Sequence, residues 1–242
     1  MLLALFLIDL AAGLFVFLPL VGRRNAGVKF YRLVLICSAS LALCAAAAHF
    51  LAHRNELALG DVAPVVLTVL LWIAMPYPKR VIYRASFIAV AVAYAGAGVF
   101  SFDAAMNPAS FAWSIAAAVS SIALLGSVTL AMTLGHWYLV VRGMPIDPLK
   151  RLTVATLAAA VLRVLVVGAA LLAGAHVYTD IFWMMRAGWG LVGPLALYPM
   201  VWGTVRIRST MAATGILYVD VVAVVIGEVL GGWLASGAHV PV

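Results

Sequence analysis

The chain has 242 residues, of which 67% are hydrophobic and 10% charged, with a mean hydropathy of +1.17. Soluble domains are about 45–50% apolar and about 25% charged, which excludes water as the main solvent, and no stretch is polar enough to form a soluble domain. The net charge of +7 would point to nucleic acid in a soluble protein, but the basic residues stand in short clusters between apolar runs, where they set membrane topology instead.

A span needs about 20 consecutive apolar residues, and candidate spans lie at 2–21, 30–52, 62–77, 81–102, 112–140, 151–177, 181–205 and 211–235. The predicted fold is all-α, a polytopic membrane protein of about eight transmembrane helices in a single membrane domain, with the lipid bilayer as its partner and no nucleic acid. The first segment begins at Leu2 with no basic leader and no small-residue cleavage site behind it, so it is expected to stay as a helix; it carries Asp9. The second follows Gly22-Arg23-Arg24-Asn25. Its Cys37 and Cys44 fall roughly 10 Å apart along a helix, beyond disulfide reach, and read as small buried side chains. His49 and His53 close that span, and Arg54-Asn55-Glu56 through Gly60 separates it from the third, which carries Pro64 and Trp72 and stops at Pro76-Tyr77-Pro78-Lys79-Arg80. The fourth holds Ala95-Gly96-Ala97-Gly98, a small-residue face for close packing. Asn107-Pro108 leads into the fifth, which ends in Gly135-His136-Trp137-Tyr138; the sixth carries Arg163, and the seventh carries Arg186, Gly188, Gly190, Gly193-Pro194 and Pro199. That seventh helix is expected to be kinked or unwound, which a membrane tolerates only beside protein or a water-filled cavity. The eighth carries Asp220 and Glu228.

Twelve basic residues (Arg23, Arg24, Lys29, Arg32, Lys79, Arg80, Arg84, Arg142, Lys150, Arg151, Arg206 and Arg208) fall at one end of these spans and Arg54 alone at the other. By the positive-inside rule the crowded end is cytoplasmic, so both termini of a multi-pass inner-membrane protein are expected outside. The third and seventh segments share a Pro-to-Trp spacing (Pro64 to Trp72, Pro194 to Trp202), and the second and sixth both open on Arg-Leu and close on Ala-His. A parallel tandem repeat of two four-helix halves, 1–105 and 106–242, follows.

Ionisable residues at membrane depth are costly and are functional candidates. Counted from the basic anchors, His136 lies about 9 Å in, Asp220 about 14 Å, Arg163 about 18 Å and Glu228 about 25 Å, a staircase across the bilayer. Asp220 and Glu228, two turns apart, share a broad face, so either could pair with Arg163 or, with it, pass protons. Asp9 and Arg186, both several residues in from the outer surface, are expected to form a structural ion pair. Gly135, His136, Trp137 and Tyr138 combine an imidazole, two aromatics and a glycine permitting close approach, which are the requirements of a quinone head group; an aromatic belt is the plainer alternative.

His49, His53, His176 and His239 fall near the outer surface, with Glu56, Asp61, Asp103 and Asp180 in nearby loops. A b-type haem would take histidines from two helices at similar depth, which leaves His49 with His176, a weaker reading than ordinary structural roles. No c-type haem attachment motif occurs, two cysteines on one helix do not make an iron–sulfur site, and neither nucleotide nor hydrolase motifs appear. The leading functional reading is a membrane subunit of a respiratory or redox complex, itself not necessarily catalytic. It would bind quinone near the cytoplasmic side and conduct protons along Asp220, Glu228 and Arg163, with cofactor-bearing partner subunits. The alternatives are a proton-coupled permease built on the broken seventh helix, and a scaffold without chemistry. In size and 4+4 organisation the chain is similar to membrane-anchor subunits of the polysulfide and dimethyl sulfoxide reductase class; the similarity is architectural, and no residue carries over.

Overall fold

A computed structural model describes residues 1–74, 80–108, 110–141, 143–174, 181–239 and 241. Among them the chain is all-helical, and seven helices are long and apolar enough to cross a membrane. They are α1 (Leu2–Val21), α2 (Arg23–Leu51), α3 (Asn55–Ala74), α4 (Arg80–Met106), α5 (Phe111–Val140), α6 (Asp147–Leu172) and α9 (Thr210–Ala238). The remaining segment is composite: α7 (Ile181–Met185), a π-helix (Arg186–Val192) and α8 (Gly193–Arg206) run on without a break.

That composite has a local cause. Pro194 has no N–H to give to the carbonyl of Gly190, and Gly188 and Gly190 weaken the α-helical alternative. The backbone N–H of Gly193 reaches the carbonyl of Gly188, five residues back, which is the π pattern. The interruption expected in this span is therefore a widened helix rather than an unwound one. At the start of α2 the backbone bends at Gly27, whose φ of 78° suits a residue without Cβ, so the long helix proper begins after the basic cluster. Asn55 and Glu56, expected in a loop, open α3, where the acid sits favourably in the first turn.

The helices alternate between two ends. One holds both termini, and His239 ties the C-terminal end to α4 by a hydrogen bond from Nδ1 to the carbonyl of Met106 (2.7 Å). The other holds the Arg23–Arg24 turn and Arg206–Arg208; these are called here the terminal and basic ends. Packing follows one pattern twice. In the first half α1, α2, α3 and α4 close a ring in which each touches the next and α4 returns to α1; in the second, α5, α6, the composite span and α9 do the same. The opening helices of the two rings, α1 and α5, meet in the centre and are the most enclosed spans.

Two helix crossings are glycine-on-glycine. A Cβ on Gly13 would stand 2.5 Å from the Cα of Gly126, and one on Gly190 would stand 2.5 Å from the Cα of Gly227. Small residues let backbones approach where lipid supplies no hydrophobic drive for association. The first contact joins α1 to α5 and the second joins the π-helix to α9. The outer faces carry Leu, Ile, Val and Phe, as a bilayer requires, and Cys37 and Cys44, read from sequence as buried, are exposed among them.

Candidate functional site

Four ionisable side chains gather in the second ring and against α1. Arg163 of α6 meets Glu228 of α9 two-pronged, with Nε to Oε1 at 3.0 Å and Nη2 to Oε2 at 2.7 Å. Its Nη1 also donates to Ser120 Oγ of α5 at 3.0 Å, and that hydroxyl donates to the carbonyl of Ala116. Arg186, the first residue of the π-helix, donates from Nη1 to the same Glu228 Oε1 at 3.0 Å. All three ionised groups are buried, Arg186 completely. One carboxylate thus holds two guanidinium groups, an arrangement that only charge-assisted hydrogen bonds of this quality make tolerable away from water.

Asp9 of α1 is buried nearby, and its Oδ1 has no hydrogen-bond partner among the described residues. Gly98 of α4 makes room for it, since a Cβ there would come within 2.7 Å of Oδ1. Asp9, Ser121, Arg163 and Glu228 line one cavity of about 340 Å³, walled by Leu2, Leu5, Phe6, Phe102 and Trp233. From the terminal-end tips of their helices, Asp9, Ser121, Arg163, Arg186 and Glu228 lie about 8 to 15 Å deep. They form a layer at one depth, below apolar walls.

The expected pairing of Arg163 with a carboxylate of the last span is present, and the acid is Glu228. Arg186, expected against Asp9, has its ion pair with Glu228, and Asp9 sits against Gly98 beside the shared cavity. Asp220 is buried two turns nearer the start of α9, its Oδ1 without a partner among the described residues, and it does not line the cavity of Arg163 and Glu228.

The Gly135–Tyr138 residues diverge. His136 is exposed, its Nδ1 3.4 Å from the hydroxyl of Tyr218. Trp137 turns inward against Phe30 at 5.6 Å between ring centroids, and Tyr138 donates to the carbonyl of Pro145. Gly135 serves packing, for a Cβ there would meet Thr214 Oγ1 at 2.8 Å. His49 is buried and paired, Nδ1 to Asp61 Oδ2 at 2.7 Å, while His176 lies outside the described residues.

No family model, curated protein or solved structure matches this chain. Sequence reasoning missed Ser120, the space that Gly98 leaves for Asp9, the Gly190–Gly227 crossing and the pairing of His49 with Asp61. For the last a signal existed: Asp61 follows His49 by twelve residues, across a short turn, so both stand near the joined ends of antiparallel neighbours.

Proposed function

We propose that this membrane protein is a proton-coupled permease for small amphiphilic anions, with the Asp9–Arg163–Arg186–Glu228 layer as its coupling site. The observation carrying this reading is that Glu228, which lines the cavity with Arg163, also holds Arg186 of the interrupted seventh span behind it. An interrupted helix whose charge is tied into a buried ionic site beside a cavity is akin to the arrangement by which secondary transporters hold substrates. The charge count supplies the coupling logic. When both acids are ionised they balance the two guanidinium groups, and a proton on Asp9 or Glu228 leaves one positive charge over, which an anionic head group can neutralise. The walls of Leu2, Leu5, Phe6, Phe102 and Trp233 suit an apolar tail, and the volume is at the small end of the range of about 300–1,000 Å³ typical of ligand sites. With the basic end cytoplasmic, the cavity opens toward the outside.

The test uses proteoliposomes containing a pH dye and radiolabelled octanesulfonate, an anion that does not cross lipid as a neutral acid. Uptake should require an inward proton gradient, acidify the lumen in step, and vanish in Glu228→Gln and Asp9→Asn. Flux independent of the gradient, or unchanged in both variants, sinks the reading.

One observation favours the redox reading. His136 and the Tyr218 hydroxyl, 3.4 Å apart and exposed near the basic end, present hydrogen-bonding groups to lipid where a quinone head group could dock, with partner subunits supplying electrons. Quinol-linked turnover that collapses in His136→Ala at normal expression would support it, and unchanged turnover would not.

A further inference from the structure

Three other buried polar atoms lack hydrogen-bond partners among the described residues and lie near the terminal end of the first ring: His49 Nε2, Asp61 Oδ1 and Ser101 Oγ. Asp61 and Ser101 are each 1% exposed, and both line a cavity of about 420 Å³ between α3 and α4, with Glu56 at its mouth and Phe100 on its wall. His49, on α2, holds the far oxygen of Asp61 from outside that cavity, so the carboxylate is oriented with Oδ1 left over. Among the described residues no Lys or Arg lines the space.

The carboxylate oxygen only accepts, and the hydroxyl can accept as well as donate, so the pair can take a donor, and a carboxylate at this depth favours positive charge beside it. Among the described residues no group of three or more His, Cys, Asp or Glu is placed to hold a metal ion. A primary ammonium brings three N–H donors and one charge, which match Asp61, Ser101 and the nearby Glu56; the Phe100 ring adds a cation–π surface. From the helix ends Asp61 and Ser101 lie about 8 to 9 Å in, the boundary between head groups and acyl chains. Gly60 and Gly96 line the same cavity and a Cβ on either meets nothing within 4 Å, so the space is open on both walls.

We infer that the α3–α4 cavity binds a primary ammonium group carried on an apolar chain, its N–H donors satisfying Asp61 Oδ1 and Ser101 Oγ. The chemistry is shared by an aminophospholipid head group and a soluble alkylamine. In nanodiscs of phosphatidylglycerol alone, the purified protein is titrated with octylammonium, octyltrimethylammonium and octyl sulfate. Octylammonium should bind saturably, the quaternary analogue at least tenfold more weakly for lack of N–H donors, and the sulfate not at all. Asp61→Asn should lose at least tenfold. Gly96→Leu, which fills open space and leaves every polar group in place, should lose as much, and it decides the matter if Asp61→Asn does not fold. Native mass spectrometry after adding phosphatidylethanolamine separates the sources: a lipid that resists exchange in the wild type and not in Gly96→Leu assigns the head group, whereas octylammonium binding without lipid retention assigns a soluble amine. Equal affinity of Gly96→Leu and wild type, octyl sulfate binding as well as octylammonium, or binding of neither amine source overturns the inference.

Discussion

Replacing Glu228 by Ala tests the ionic layer most directly. The carboxylate accepts three charge-assisted hydrogen bonds, two from Arg163 and one from Arg186, and its loss takes the counter-charge away from two buried guanidinium groups. Breaking a buried ion pair by removing one partner costs about 3–5 kcal/mol, well above the roughly 0.6 kcal/mol average for a polar contact between membrane helices. Glu228→Ala should therefore lower the free energy of unfolding, measured in bicelles by steric trapping, by about 3–5 kcal/mol. The triple variant Arg163→Met, Glu228→Leu, Arg186→Met removes all three charges together, and since apolar replacement of a whole buried ion pair is often neutral or stabilising, it should recover the loss while abolishing proton-coupled uptake. A cost below about 1 kcal/mol for Glu228→Ala would refute the buried pairing. Retained uptake in a stable triple variant would refute its role in transport.

Further expectations concern packing and placement. Gly126→Leu should prevent folding in the membrane, since its side chain would enter the backbone of α1 at Gly13, while Gly168→Ala, with nothing within 4 Å of its Cβ, should leave yield and melting temperature unchanged. Gly98→Ala should depress uptake by displacing Asp9, whose Oδ1 stands 2.7 Å from the added carbon; normal uptake would show that the position of Asp9 does not matter. His49→Ala removes the hydrogen bond to a buried carboxylate and should cost about 1.5–3 kcal/mol, read by the same unfolding assay, with His49→Gln recovering part of it. In a cysteine-free background, single cysteines at Arg23 and at His239 should label from opposite sides of intact spheroplasts, the latter from outside.

The spans were legible in the sequence because a bilayer demands long apolar runs with every backbone group satisfied internally. The partnership of Arg163 with a carboxylate of the last span was legible too, since few ionisable groups occur at that depth and each must find a counter-charge. Which carboxylate met which arginine was not, because helix rotation is set by packing: the Gly13–Gly126 and Gly190–Gly227 contacts fix those rotations, and a glycine carries no sign of its partner. The divergence of His136, Trp137 and Tyr138 was readable in principle, as consecutive residues of a helix of 3.6 per turn point about 100° apart. Asp61 was assigned to a loop because Asn55, Glu56 and Gly60 resemble turn residues, yet an acid in a first turn also favours a helix.

The widened turn between Arg186 and Val192 has an effect on everything downstream of it. An added residue in a helical turn advances the rest of the helix by about 100° and 1.5 Å, so the two parts of this span are out of phase with one another. Buried positions run 186, 190 and 191, 194, then 201 and 205, a stripe that drifts around an ideal α-helix and that the wider turn brings back into line with α9. A helical wheel drawn through 181–206 would therefore put one part's inward face on the wrong side. Shortening this stretch by one residue would act as a rotation of Tyr198 and Trp202 about their axis, with no change in the composition of the face they occupy.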